Sequence, residues 1–145
     1  LVARARMLFR PAGAASWRDL PRLVASLIFD SFAEPSLAGV RSADSFSRML
    51  TFEAGEVRLE VRIEQEHSSA PLAVTGQISS GDQFLSVAHL PIQLWQAGRI
   101  VAESHTSEFG EFHFDAAPQR DLCLALPVAN ATRLLEVPLD VSAGR

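Results

Sequence analysis

At 145 residues, with 48% apolar and 21% charged residues, the chain has the make-up of one folded domain rather than a disordered tail. All 13 basic residues are arginine and there is no tyrosine, which removes lysine Schiff-base chemistry, the phosphate-loop lysine and every mechanism that needs a phenolate. A formal net charge of −4 gives no bulk attraction to nucleic acid, so no nucleic-acid partner is expected.

Residues 1–50 are rich in Arg, Ala and Ser and show no sustained alternation. The first 22 hold Arg4, Arg6, Arg10, Arg18 and Arg22 against Asp19, a local charge of +4 that leaves −8 for the rest. Such an arm can meet phosphate, lipid headgroups or the acidic body; its plain reading is a solvated linker. Leu20, Leu23, Val24, Leu27 and Ile28 recur at helical spacing, with Asp19 as cap and Pro21 in the first turn. They predict a helix to about residue 26. Residues 27–32 stay open between helix and short strand. Glu34 before Pro35 stops regular structure, and 35–50 read as a connector in which Phe46, Met49 and Leu50 pack down. The longest apolar stretch, Leu23 to Phe29, is broken by Ser26 and falls short of the ~20 residues of a membrane span. No transmembrane segment is expected in this chain. Its start at Leu1 rather than Met predicts a processed product or a piece of a longer polypeptide.

From residue 51 a period of two takes over. Val57, Leu59, Val61 and Ile63 alternate with charged residues over 56–64, the pattern of a half-buried antiparallel strand with one wet face. After a loop at 67–71 comes a strand over 72–78, then the turn cluster Ser79–Asp82. Residues 91–96 and 99–106 bracket Ala97–Gly98 as a hairpin, and 111–114 follow a turn ending at Gly110. Leu122, Leu124 and Leu126 alternate, as do Leu135, Val137, Leu139 and Val141. Seven short strands at this spacing predict an all-β, antiparallel Greek-key sandwich with a helical or irregular N-terminal extension. The division is an arm at 1–50 and a sandwich domain at 51–145.

The order of motifs carries a resemblance. Thr106-Ser-Glu-Phe-Gly110-Glu-Phe112-His-Phe114 follows Val74-Thr-Gly76-Gln-Ile78 and Ile92-x-Leu94, and precedes Leu122-x-Leu124. It resembles the carboxypeptidase regulatory-like domains, which are transthyretin-like (prealbumin-like) seven-stranded sandwiches, over roughly residues 56–141. Gly76, Gly98 and Gly110 are the expected structural turns. Two departures stand out: the long Ser79–Leu90 stretch replaces a short turn with Gly-Ala-x-Val, and Leu122 stands where many members carry tyrosine. A second resemblance covers the front half, where Phe29-Asp-Ser-Phe32, Ala38-Gly-Val-Arg41 and Phe52-Glu-Ala-Gly55 are similar to bacterial proteins found beside extracytoplasmic-function sigma factors. It implies an anti-sigma-like upstream segment. These resemblances imply a non-catalytic module. Among enzymes on such sandwiches, the 5-hydroxyisourate hydrolases need a C-terminal Tyr-Arg-Gly-Ser and the intradiol dioxygenases need tyrosine ligands, and this chain has neither.

The remaining side chains are weighed by type. His89, His105 and His113, with Glu103, form a divalent-metal or hydrolytic set only if strands 99–106 and 111–115 pair; Phe112 and Phe114 facing inward put His113 on the wet side, so no metal, cofactor or catalytic residue is assigned. Cys123 is the single cysteine, which excludes an internal disulfide and a Cys-based zinc site. It reads as inert packing and fits a reducing, cytoplasmic setting. Trp95 beside Ile92 and Leu94 is either core or an exposed platform, and Trp17 lies in the arm. The expected function is binding of a protein partner through an open sheet edge or the arm face of Trp17, Leu20, Leu23, Val24 and Leu27. The alternative is a carbohydrate-binding module using an exposed Trp95.

Overall fold

The computed structural model describes residues 17–33, 45–83, 85–117 and 121–139. Arg4, Arg6, Arg10, Glu34–Pro35, Ala38–Arg41 and Val141 fall outside them. Ten strands are present among the described residues: β1 (Arg22–Leu23), β2 (Ser26–Asp30), β3 (Phe46–Ala54), β4 (Val57–Gln65), β5 (Leu72–Ser80), β6 (Pro91–Gln96), β7 (Arg99–His105), β8 (Glu111–Ala116), β9 (Leu122–Val128) and β10 (Arg133–Pro138). They form two five-stranded sheets, sheet A in the order β1-β10-β9-β6-β7 and sheet B in the order β2-β3-β4-β5-β8. All pairings are antiparallel except β1 on β10.

The all-β architecture agrees with the alternation from residue 51 onward; the strand count and the N-terminal helix do not. β4 shows why the alternation was decisive: Val57, Leu59, Val61 and Ile63 are buried while Arg58, Glu60 and Arg62 are exposed. Those inner residues meet Leu72, Val74 and Ile78 of β5, Phe112 and Phe114 of β8, and Ile92, Leu94, Leu122, Leu124, Leu126, Leu135 and Val137 of sheet A. One apolar layer therefore lies between the sheets, as burial of two half-apolar faces requires.

The three additional strands come from the first 54 residues. Leu20, Leu23, Val24 and Leu27 do not share a helix face. Pro21 offers its carbonyl to Leu134 N–H at 2.9 Å, Arg22 and Leu23 pair with Leu134 and Leu135, and the chain then crosses to sheet B as β2. Contacts more than a hundred residues away in sequence override a helical spacing that local propensity only weakly supports. β3 escaped notice for another reason. Its inward positions run Arg48, Leu50, Phe52, Ala54 and its outward positions include Met49 and Thr51, so polarity does not follow the pleat.

Two glycines of the resemblance are turns and one is not. Gly98 follows Ala97 in the β6–β7 hairpin, where φ is +51° at Ala97 and +79° at Gly98; a turn with both central residues left-handed matches the strand twist. Gly76 instead lies inside β5, where an added Cβ would sit 2.3 Å from the Glu60 carbonyl oxygen and 2.5 Å from the tip of the Phe112 ring. It is a close-approach position, not a turn. Because alanine is strained at positive φ, Ala97→Gly is expected to raise stability by about 0.5–1 kcal/mol; urea denaturation giving no gain would refute this reading of the hairpin.

Candidate interaction surface

Trp95 sits on the outer face of sheet A, since Ile92 and Leu94 face the core and the register shifts between Leu94 and Trp95. It is nevertheless buried, at 4% exposure. With Ala125 and Leu134 it forms a small outer cluster covered by Trp17 and Leu20 and flanked by Cys123. The ring centroids of Trp17 and Trp95 are 6.4 Å apart, and the Arg18 guanidinium lies 5.0 Å over the Trp95 ring, a cation–π arrangement. Trp95 Nε1–H donates to Gln93 Oε1 at 2.7 Å, and Gln93 Nε2 donates to Glu103 at 3.2 Å. Arg18 donates to the Gly98 carbonyl, Arg22 Nε donates to Glu136 at 2.9 Å, and Arg133 donates to the Arg22 carbonyl at 2.9 Å. Residues 17–23 are thus a strap fastened across sheet A, and no free indole face is left for a sugar ring. Arg18, Gln93 and Glu103 carry this arrangement; nothing in a period-2 reading points to them as a set.

Cys123 lies beside the strap. Burial first, and then the Glu136 carboxylate that accepts its S–H at 3.4 Å, push the thiol up to about 12. At neutral pH it is protonated and poorly nucleophilic.

The histidine set is not assembled. β7 and β8 are edge strands of different sheets, so His105 and His113 are not a cross-strand pair. His113 Nε2 lies 3.1 Å from Asp115 on the outer face of sheet B, while Glu103 receives Gln93 on sheet A. An open cleft of about 680 Å³ with a mixed apolar and polar lining does run across sheet B to the end of β7, past Met49, Arg62, Phe112, His113 and His105; Glu103 does not line it. Among the described residues no group of three or more His, Cys, Asp or Glu side chains is placed to hold a metal ion, and no helix is long and apolar enough to cross a membrane.

Among the described residues, large apolar side chains are exposed at Phe109 (65%), at Ile100 and along the β2 edge. Val24 is 81% exposed, Leu27 51%, Ile28 46% and Phe29 37%. Leu20 and Leu23, predicted to join them, are turned away into the outer cluster and the core layer. Ile28 and Phe29 were outside the predicted contact set, although the run Leu27-Ile28-Phe29 is visible in the sequence. A register shift falls between Leu27 and Phe29, and Asp30 points inward to Arg48, 2.7 Å from its carboxylate. Bulges and inward charges both spoil an edge as a template for a further strand. The contact this edge offers is its exposed apolar side chains, Leu27 opposite Phe52 and Phe29 opposite Thr51 on the other face.

No family model, curated protein or solved structure matches this chain.

Proposed function

We propose that this chain is a non-catalytic interaction module, belonging to a larger bacterial regulatory protein, that binds a protein partner through the β2 edge. The observation that carries this reading is the run of exposed apolar side chains Val24, Leu27, Ile28 and Phe29; Phe109 and Ile100, also exposed, stand far from it in sequence. The motif running from Thr106 to Phe114 supports a transthyretin-like assignment within the all-β class as part of the same proposal. In that motif the buried Thr106 hydroxyl donates to Val87 O at 2.7 Å and accepts Leu90 N–H at 2.8 Å. It thereby ties the long 81–90 connection to the sandwich, which is a scaffold role. Burial of Trp95 weighs against the carbohydrate alternative.

The test is affinity capture from the native host with the full chain and with a Leu27→Ser/Phe29→Ser variant. Leu27 is 51% and Phe29 37% exposed, so both side chains are partly buried, and urea denaturation first checks that the variant stays folded. A partner retained by the parent chain and lost from the variant is the expected result. Identical captured proteins would remove the β2 edge from the function.

A further inference from the structure

The outer side of sheet A is organised as a receptor with an occupant. The receptor is the patch of Trp95, Ala125 and Leu134. Around it stand the Gly98 carbonyl, the Leu134 N–H and the Glu136 carboxylate, and the Trp95 ring is anchored by Gln93, which accepts its Nε1–H. The occupant is the strap. Trp17 and Leu20 cover the apolar patch, and Arg18 takes the Trp95 ring face and the Gly98 carbonyl. Pro21 O accepts Leu134 N–H at 2.9 Å, and Arg22 takes Glu136 at 2.9 Å. Bonds inside the strap hold its shape: Leu20 N–H donates to Trp17 O at 3.0 Å, and Arg22 Nη1 donates to Leu20 O at 2.9 Å.

Four features make this occupant displaceable. The main core does not depend on it, because the strap adds only Leu23, a partly buried residue, to the layer between the sheets. Its ladder is minimal: the two residues of β1 pair with two of the six in β10. Its charged fastening lies at the surface, with the Arg22 and Glu136 side chains 41% and 32% exposed, where water and salt compete with an ion pair. Closure also leaves a defect. Arg133 Nη2 donates to Arg22 O, yet Arg133 Nε is buried with no partner among the described residues, a desolvation that nothing offsets. Segments with few buried contacts and exposed hydrogen bonds open while the rest of a domain stays folded.

We infer that residues 17–23 are a displaceable cover, a resident pseudo-ligand that holds shut a peptide-binding face on the outside of sheet A. The face takes a partner segment in which an aromatic residue is followed by arginines at the spacing of Trp17, Arg18 and Arg22. Such a segment takes over the contacts the strap now makes, and its apparent affinity is lowered by the fraction of molecules in which the strap is closed. This face belongs to sheet A and the β2 edge to sheet B, so the inference stands apart from the reading of that edge.

The first arm of the experiment uses the unaltered full chain. Hydrogen exchange followed by NMR compares the Leu134 amide, which Pro21 O accepts, with the amides paired between β6 and β9 in the middle of the same sheet. Leu134 is expected to exchange roughly tenfold faster or more. A common rate for all of them means that the strap leaves only on global unfolding, and overturns the inference. The second arm adds a fluorescent peptide of residues 17–24 to the full chain, with and without Trp17→Ser/Arg18→Ser, and reads its anisotropy. Because the variant strap has lost its aromatic and cation–π contacts, the variant is expected to bind the peptide roughly tenfold more tightly than the parent. A peptide carrying the same two serines is expected not to compete. Equal affinity for both chains, or no saturable binding to the variant, overturns the peptide-binding face. The first arm needs no substitution, so the cover is still judged if the variant does not fold.

Discussion

Gly110→Ala is expected to destabilise the domain by about 3 kcal/mol, the largest effect of any single methyl addition considered for this chain. Two costs combine. Gly110 has φ +83°, and an L-residue there loses roughly 1–2 kcal/mol to the contact between its Cβ and the backbone. In addition, the new Cβ would lie 2.2 Å from the Ile78 carbonyl oxygen and 3.2 Å from Val87. The first of these is backbone and cannot swing away, so β5 or the turn must move, at about 1–3 kcal/mol. Movement here is felt in the core, because Gly110 O accepts Ile78 N–H at 2.9 Å and Gly110 N–H donates to Ser107 O at 3.0 Å, and Ile78 is fully buried. Gly98→Ala is the control. It has a similar φ of +79°, but its Cβ would meet nothing closer than the Arg18 guanidinium at 3.5 Å. It should lose only about 1 kcal/mol. Equal losses for the two variants in urea denaturation would show that close approach to Ile78 contributes nothing.

The second large effect concerns the ion pair that pins β2. Asp30 accepts Arg48 Nε at 3.0 Å and Nη2 at 2.7 Å, a two-pronged contact that specifies geometry as well as charge. Arg48 is 6% exposed and also lies 4.4 Å over the Phe32 ring. Removing the carboxylate takes two hydrogen bonds and the counter-charge from a buried guanidinium, so Asp30→Ala is expected to cost about 3 kcal/mol, the low end for a broken buried pair because Asp30 keeps some solvent. Arg48→Met leaves a carboxylate that is 19% exposed and keeps the Phe32 amide, fills the space, and should cost less. The same pair sets a pH dependence. The hydrogen bonds from Arg48 hold the Asp30 carboxyl below its ordinary value, the Phe32 amide adds to this, and burial opposes it. Folding thus favours the ionised form. Its contribution is complete above the unfolded-state value of about 4 and is lost as pH falls through the lower folded-state value. Stability of the parent chain should therefore drop more steeply than that of Asp30→Asn between pH 5 and pH 2. Parallel profiles would mean that Asp30 does not sense Arg48.

How much of this was legible beforehand follows from what each residue pattern depends on. The seven strands were visible from apolar residues at alternate positions, cleanest in Val57 to Ile63, and from the turn residues that bracket them; burial of one face needs no knowledge of the partner strand. The Ala97–Gly98 hairpin and the Gly110 turn were visible because positive φ restricts residue type locally. β3 was hidden by Arg48, whose inward position is made tolerable by partners such as Asp30, eighteen residues earlier. Residues 20–28 looked helical because their spacing was judged alone; Leu20 in fact belongs to the face of Trp95, Leu23 to the core layer, and Val24 to solvent.

The candidate surface divides in the same way. Trp17 and Trp95 stood out by type, yet their relation is a long-range one across sheet A, and whether an outward tryptophan is wet depends on what covers it. Ile28 and Phe29 stood out as part of an apolar run, yet only the position of β2 at the end of sheet B leaves them exposed. The sequence by itself determined the all-β class, the central strands, the tight turns, and the absence of tyrosine and lysine chemistry. Those properties are set by polarity, backbone freedom and side-chain type within a few residues. The tertiary structure alone decided that residues 22–30 are divided between both sheets, that Trp95 is capped, and that the β2 edge is bare. Each of these is a balance between burial and solvent settled by residues far away in the chain, and local patterning carries no record of it.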